Sequence, residues 1–400
     1  MHVTVAIDAR FDRTPDGDVW TDGWARHSFW LRYLMVFDEV RVLARVRDVS
    51  SVPGTFVRCT GPGVDFAPIP HYLGPWQYAL RYPRVRSAVR RTLASAEAVV
   101  LRAPATVANL AEAFLRPRGR PYGVEVVGDP LDVFSSGSVQ TILRPMLRVL
   151  FTRALRRQCR GACAASYVTA STLQRRYPAS AGVFSTSYSS IDMPDEAYVD
   201  APRPIRTPSR PARVVFVGSL GHLYKAPDSL IEAVAIAAGR GLGVQLTVVG
   251  DGKHRSDMES LAAALGVAGR VRFVGNLPSG KAIRDELDQA DLFVLPSRAE
   301  GLPRALIEAM ARALPCLSTG IGGIPELLSV SELVPAGDAP TLATRMCAVL
   351  GDTQRLARLS AENLQRARAY HVAALTPRRR AFYEAVRDAA AVCLQSRRAI

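Results

Sequence analysis

Short β-branched apolar runs alternate with helix-period segments along this chain, and the alternation stops once and begins again. Residues 3–7, 40–44, 98–101 and 124–127 read as strands, and residues 23–36 as a helix. Such alternation predicts a parallel sheet with helices on its faces. Residues 201–211 then carry four prolines and no apolar period, the composition of a linker between domains. Past it, strands are expected at 214–217, 245–249, 271–274, 291–295 and 316–317, separated by helices at 227–238, 256–265, 281–289 and 304–313. The predicted fold class is α/β: one doubly wound domain over 1–205, a second over 212–372, and a helical segment over 373–400. No fixed-period repeat is present.

Composition narrows what such a chain can do. With 48% hydrophobic and 22% charged residues it can bury ordinary cores. Its six cysteines form no C-x-x-C pair and no metal-ligand spacing, so they read as small core hydrophobes in a reducing compartment, and no metal site is expected. Met1 leads straight into a strand pattern, and no apolar run is long enough to span a bilayer, which predicts a cytoplasmic protein. The net charge is +15, nearly all from arginine; lysine occurs only at Lys225, Lys253 and Lys281. That excess points to nucleic acid, an anionic membrane surface or phosphorylated substrates without choosing among them.

The stretch from Ser297 to Ala309 lies where a strand hands over to a helix. Glu300 and Gly301 are expected on the loop at the C-terminal end of a parallel strand, where open α/β sheets bind ligands. Pro303 suits the first helical turn, whose free N–H groups, with the helix dipole, form an anion site. Glu308 lies one turn into the helix, where a carboxylate can accept two hydrogen bonds from a vicinal diol such as a ribose. Two glutamates eight apart also occur by chance, so the spacing alone does not decide.

Residues 300–328, EGLPRALIEAMARALPCLSTGIGGIPELL, closely resemble the E-x7-E donor-site segment of family 4 retaining glycosyltransferases. Those enzymes have the GT-B architecture, two Rossmann-like domains facing a central cleft. The likeness covers most of residues 213–330 and is much weaker over 1–210. It implies that Glu300 contacts the donor sugar, Glu308 holds the nucleotide ribose, and backbone N–H groups around Gly301 and Leu302 meet the diphosphate. Gly218-Ser219-Leu220 stands where the family has Gly-Arg-Leu, with Lys225 downstream to grip the leaving diphosphate. Here Ser219 replaces the arginine, Ala226 replaces the usual glycine, and the spacing to Lys225 is one residue longer than the commonest form. Ser219 offers only a neutral hydrogen bond, and Arg304 is the candidate for the second charge. Lys225 also has a plain reading, an exposed lysine beside a helix, although a compact point charge suits phosphate.

Gly322-Gly323-Ile324-Pro325-Glu326 matches the family's segment as well; the glycines allow close backbone approach, and Glu326 suits a helix start. Structural and functional readings of Glu326 both stand. In the first domain the family often has a histidine, meeting the donor sugar, near the position where this chain has Asp129, which reads either as a cleft residue or as a turn residue before Pro130. The loop 16–23 borders the cleft in this architecture; Gly23 either brings an N–H to the diphosphate or the acceptor, or belongs to a plain surface loop. Gly250-Asp251-Gly252 reads as a tight turn. By the same resemblance the C-terminal helix crosses back to the first domain. Gly218 to Gly221 lacks the third glycine of a dinucleotide fingerprint, and the chain has no P-loop, no G-x-S-x-G elbow and no H-E-x-x-H helix.

Two arginine clusters carry much of the charge. Arg81, Arg84, Arg86, Arg90 and Arg91 form one; Arg144, Arg148, Arg153, Arg156, Arg157 and Arg160 form the other, with no acid between Gln140 and Arg160. In the second, Leu143, Leu147, Leu150, Phe151 and Leu155 recur at helical spacing, which predicts an amphipathic helix packing its leucines on the sheet. The charge excess suggests attraction to anionic lipid. With no aromatic-rich basic strand and no nucleic-acid motif, nucleic acid is not an expected partner.

Taken with the resemblance, these features imply a retaining glycosyltransferase that moves a sugar from a UDP- or GDP-sugar to a glycan or lipid-linked acceptor, as in bacterial cell-surface polysaccharide synthesis. The nucleotide-sugar donor is a substrate, and neither cofactor nor metal is expected. A peripheral position on the inner face of the membrane fits the charge. Two other classes fit the same residues: a sugar-nucleotide epimerase or glycan phosphorylase of the same fold, and a non-catalytic nucleotide- or glycan-binding protein.

Overall fold

The structure, a computed structural model, describes residues 1–134, 143–204, 207 and 211–398. Its contacts divide the chain into two compact units: unit 1 holds Met1–Val127, Phe151–Tyr188 and Thr376–Ile400, and unit 2 holds Gly128–Leu150 and Ser189–Leu375. This differs from a single cut near residue 205. The residues before the prolines are anchored rather than free: the Arg203 guanidinium donates to the main-chain oxygens of Leu287 (2.9 Å), Arg312 (3.1 Å) and Ala290, and its N–H donates to Ser360 Oγ at 2.8 Å, all within unit 2. Residues 205–206 and 208–210 of the expected linker lie outside the described residues.

Unit 1 is built on nine strands: β1 (His2–Arg13), β2 (Val19–Thr21), β3 (Glu39–Asp48), β4 (Val57–Arg58), β5 (Val64–Pro70), β6 (Ala98–Ala103), β7 (Gly123–Val126), β8 (Ala164–Tyr167) and β9 (Phe184–Ser187). Seven run parallel in the order β5-β3-β1-β6-β7-β8-β9. Every residue of β6, β7 and β8 is buried, as a parallel sheet covered on both faces requires. The first strand is longer than the expected 3–7, and β2 folds back antiparallel on its far end, with Asp12 opposite Trp20. The polar loop expected over 16–23 therefore contains a strand. The expected helix 23–36 shortens to His27–Trp30 and continues as turns. Phe29, Trp30 and Tyr33 are all buried, and Trp30 Nε1 donates to Ala25 O at 3.1 Å. Packing these rings together in the core takes precedence over continuing the helix.

Burying β6 and β7 takes two charges out of water. Arg102 and Glu125 are cross-strand partners, 5% and 2% exposed, and pair at 2.5 Å. Glu125 also accepts from the hydroxyls of Tyr33 (2.7 Å), Tyr188 (2.8 Å) and Tyr383 (3.1 Å), while the rings of Trp24 and Phe29 cover the guanidinium. Burial alone would raise the Glu125 carboxyl, but Arg102 and the hydroxyls of Tyr33 and Tyr188 outweigh it and hold the group below its ordinary value. Tyr383 comes from the C-terminal helix, Val372–Arg398, whose Phe382 and Val386 pack so closely over Gly123 that a Cβ there would sit 2.4 Å from Val386.

The arginine-rich segment forms the helix Arg144–Gly161. Its buried stripe is Thr152, Ala154, Leu155, Gln158 and Cys159; Leu155 is buried as expected, whereas Leu143 and Leu150 are exposed. The fully buried face starts at Thr152, about two and a half turns after Leu143, where the leucine spacing begins.

Unit 2 contains β10 (Ala212–Val217), β11 (Val244–Val249), β12 (Val271–Gly275), β13 (Leu292–Leu295), β14 (Cys316–Thr319) and β15 (Leu333–Val334), all parallel in the order β12-β11-β10-β13-β14-β15. The helices Pro227–Gly239, Arg255–Ala264, Lys281–Gln289 and Arg304–Ala311 fall within two residues of the expected bounds. Strand order reverses between β10 and β13, which makes the space beyond their C-terminal ends the topological switch point.

Replacing Tyr383 by Phe removes one hydroxyl from a buried carboxylate and should cost about 1–3 kcal/mol, whereas Glu125→Leu strands Arg102 without its counter-charge and should cost about 3–5 kcal/mol. Urea unfolding followed by tryptophan emission checks both. Because the folded Glu125 value is depressed, its contribution is present above about pH 4.5 and is lost as pH falls through the folded value.

Candidate functional site

The two loops at the switch point meet through an ion pair. After β10 the chain runs Gly218-Ser219-Leu220-Gly221 and turns through Leu223–Lys225 into the helix Pro227–Gly239. Lys225 Nζ lies 3.2 Å from Glu300 Oε1, on the loop after β13, and both side chains are largely buried. Gly218 makes room for the lysine, since a Cβ there would sit 2.4 Å from Lys225 Cδ. Burial works against the ammonium charge, but facing Glu300 more than offsets it, so Lys225 is held above its ordinary value. Ser297 Oγ donates to the same Glu300 oxygen at 2.9 Å. Among the described residues both bonds fall on Oε1, which leaves Oε2 open as an acceptor.

Ala226, where a glycine is usual in the resembling family, adopts the left-handed conformation (φ 53°, ψ 49°) and is fully buried. The backbone keeps the shape a glycine adopts freely, at a strain of about 1–3 kcal/mol.

What holds the lysine turn was not foreseen. Arg298 reaches across from the β13 loop and forks onto Asp228, at 2.9 and 2.6 Å, in the first turn of the helix Pro227–Gly239. The same guanidinium donates to Leu223 O (3.0 Å) and Ser229 Oγ (3.1 Å), and the Arg298 main-chain N–H donates to Tyr224 O at 2.6 Å. Five bonds from one residue thus fix both sides of Lys225.

Beyond Glu300, the N–H groups of Gly301 and Leu302 donate to no acceptor among the described residues. Gly322 supports this loop from the end of β14: its φ is +53°, and a Cβ there would fall 2.1 Å from Glu300 O, while Gly323 N–H donates to Gly301 O at 2.7 Å. Pro303 caps the helix Arg304–Ala311. Glu308, half-buried on that helix, has no hydrogen-bond partner among the described residues. Burial pushes its carboxyl up, and Arg304, Lys225 and Arg284 pull it back only in part. Arg304 therefore stands close to both Glu308 and Lys225, and Arg284, from the helix Lys281–Gln289, adds a cation that the sequence did not mark.

The other expected residues take different places. Ser219 is exposed, and its Oγ accepts from Gly221 N–H at 3.1 Å. Gly250-Asp251-Gly252 is a turn stitched to the β10 loop, with Leu220 N–H donating to Asp251 O at 2.9 Å. Glu326 closes the short turn Ile324–Glu326. Asp129 is buried and caps the helix Pro130–Val133 by accepting from Leu131 N–H at 2.9 Å, the turn role before a proline. Gly23 belongs to unit 1, and its N–H already donates to Thr21 Oγ1 at 3.0 Å, so it is not an open donor.

Residues 211–352 match the family model of glycosyl transferases group 1. Among curated relatives, Protein CapJ of Staphylococcus aureus is 26% identical over 79% of this chain and 78% of its own length. The lipopolysaccharide core biosynthesis mannosyltransferase LpsB of Rhizobium meliloti is 27% identical over 64% of this chain and 78% of its own. Among solved structures, sucrose-phosphate synthase from Thermosynechococcus elongatus superposes with a TM-score of 0.67 at 17% identity, covering 96% of this chain and 98% of that one. Anabaena HepE, solved in complex with UDP and glucose, gives 0.63 at 16% identity over 98% and 99%. Sheet order and these likenesses agree: the chain has the GT-B fold, and its second unit matches the glycosyl transferases group 1 family model over residues 211–352.

Proposed function

We propose that this chain is a retaining glycosyltransferase that moves a sugar from a UDP- or GDP-sugar to a glycan or lipid-linked acceptor in bacterial cell-surface polysaccharide synthesis. The observation that carries the reading is the state of Glu300: among the described residues its carboxylate is held at one oxygen by Lys225 and Ser297 and open at the other, beside two unused N–H groups. In the proposed reaction, charge grows on the departing diphosphate. Lys225 and the N–H groups of Gly301 and Leu302 stabilise it, and donors preorganised at developing charge are usually the largest catalytic contribution. Arg304 supplies the second positive charge in place of the arginine absent at Ser219. Glu300 Oε2 orients a sugar hydroxyl, and Glu308 accepts from the ribose diol. The acceptor attacks from the face the diphosphate leaves, with a phosphate oxygen taking its proton, so no divalent metal enters. Asp129 and Gly23 have no part in this scheme.

Two relatives support particular parts of it. The name of LpsB points to a cell-surface glycan, and HepE with UDP and glucose points to a uridine donor. The charge of +15 favours a lipid-linked acceptor and a peripheral position on an anionic membrane face. No helix among the described residues is long and apolar enough to cross a membrane.

A thermal-shift series with UDP, GDP, ADP and dTDP, without metal, tests the donor site. The matching diphosphate should stabilise the protein by about 2.7 kcal/mol at a hundredfold excess over its dissociation constant. No shift with any of them sinks the reading. Glu300→Gln should lower transfer by at least about 10²-fold while leaving diphosphate affinity within about threefold. An epimerase would instead act without acceptor, and a phosphorylase would need inorganic phosphate.

Glu308→Gln should move two observables in opposite directions. Losing the charged acceptor should weaken diphosphate binding about tenfold or more. A carboxyl raised above its ordinary 4.5 favours the fold only where it is protonated and loses that contribution as pH rises through the folded value. At pH 7 the glutamine variant should therefore melt higher than the parent when ligand-free.

Arg298 is proposed as a positioning residue for Lys225. Arg298→Ala should cost about 2–3 kcal/mol of stability. Arg298→Lys should recover part of the stability but little of the turnover, because an ammonium cannot fork onto Asp228. Calorimetry and kcat, measured together, separate the two effects.

A further inference from the structure

We infer that the first three turns of the helix Gly74–Ser95 are the surface by which the protein docks on an anionic lipid bilayer. This gives the peripheral membrane contact proposed above, on which it rests, a place on the molecule. The helix has two unlike halves. From Val85 onward it packs normally, burying Val85, Ala88, Val89 and Leu93. Between Gly74 and Arg84, every side chain except the half-buried Tyr78 is exposed. A helix that only covered the sheet would not place large apolar groups there. Yet Leu73, Trp76 and Leu80, spaced i, i+3 and i+7, share one face, and Trp76 and Leu80 are 82% and 83% exposed.

Charge identifies the occupant. The helix carries Arg81, Arg84, Arg86, Arg90 and Arg91 and contains no aspartate or glutamate. Arg84 continues the row of Trp76 and Leu80, and Arg81 lies beside it, its guanidinium donating to His71 O at the helix entrance. Exposed Arg10 adds a further positive charge near that entrance, where burial, Arg47, Arg45 and Arg10 hold the His71 imidazole below its ordinary value. A tryptophan and two leucines ringed by arginines match the boundary between headgroups and acyl chains: the apolar groups enter, and the long arginine stems lie along the surface with their charges among lipid phosphates. Nucleic acid would satisfy the arginines but give nothing to the leucines, since such interfaces are more polar.

The test uses the full chain and sedimentation with vesicles of phosphatidylcholine alone or with one third phosphatidylglycerol. Binding is expected only to the anionic vesicles, and should fall about tenfold or more between about 50 mM and about 500 mM salt. The double variants W76S/L80S and R81Q/R84Q should each weaken it about tenfold or more, and Val330→Ser, which removes an exposed apolar group from unit 2, should not. All variants alter exposed side chains and should keep the parent's melting temperature and its shift with nucleoside diphosphate. No binding to anionic vesicles at low salt overturns the membrane reading itself. Binding that survives both double variants overturns this helix as the surface. Loss of the diphosphate shift in the parent would instead strike at the glycosyltransferase reading.

Discussion

A lysine and a glutamate, both nearly out of water, face each other at 3.2 Å across the point where the strand order of unit 2 reverses. Neither charge is tolerable there alone, because removing one partner of a buried pair leaves the other uncompensated. The loops that bring them together are shaped around this contact. Gly218 yields the space of a side chain to the lysine stem, Ala226 accepts a strained conformation to bend the turn, and Arg298 spans the gap to tie the turn to the opposite strand. In the proposed reaction, loops assembled in this way are set before the donor arrives, so little reorganisation remains for the moment when charge moves.

Three carboxylates in this chain differ in how completely they are satisfied, and the difference separates structure from chemistry. Glu125 accepts from a guanidinium and three hydroxyls and is driven below its ordinary value. Such a group is fully used and holds strands and helix together. Glu300 is bonded at one oxygen only among the described residues. Glu308 has no partner among the described residues and is pushed up by burial. An under-satisfied buried carboxylate costs stability, which is why Glu300 and Glu308 carry the proposed donor site and Glu125 does not. Sequence spacing marked the second and third but was silent on the first, whose partners lie up to 258 residues away.

What was legible in the sequence is what depends on neighbours along the chain. The helices of unit 2 were placed to within two residues because strand and helix periods are local, and prolines mark their starts. Glu300 was placed on the loop after a strand, and Glu308 in the helix that follows, because strand, loop and first helical turn sit next to one another in sequence. What escaped depends on contacts between distant segments. Arg298 and Asp228 are 70 residues apart, and nothing about either residue alone announces the clamp. The helix expected over 23–36 lost to the packing of Phe29, Trp30 and Tyr33, and Gly23 lost its donor to Thr21. The prolines of 201–211 pointed to a boundary, but the exchange between units falls at Tyr188, because Arg203 already finds carbonyl partners in unit 2.

The polypeptide passes between its two units four times, after Val127, Leu150, Tyr188 and Leu375. During synthesis, unit 2 has its whole complement once Leu375 has left the ribosome. Unit 1, although begun first, must wait for the segment that carries Phe382, Tyr383 and Val386. At the translation rates of about 5–20 residues per second typical of cells, unit 1 spends many seconds with Glu125 and Gly123 uncovered while the rest of the chain is made. The order in which the two units are completed is the reverse of the order in which they begin along the chain.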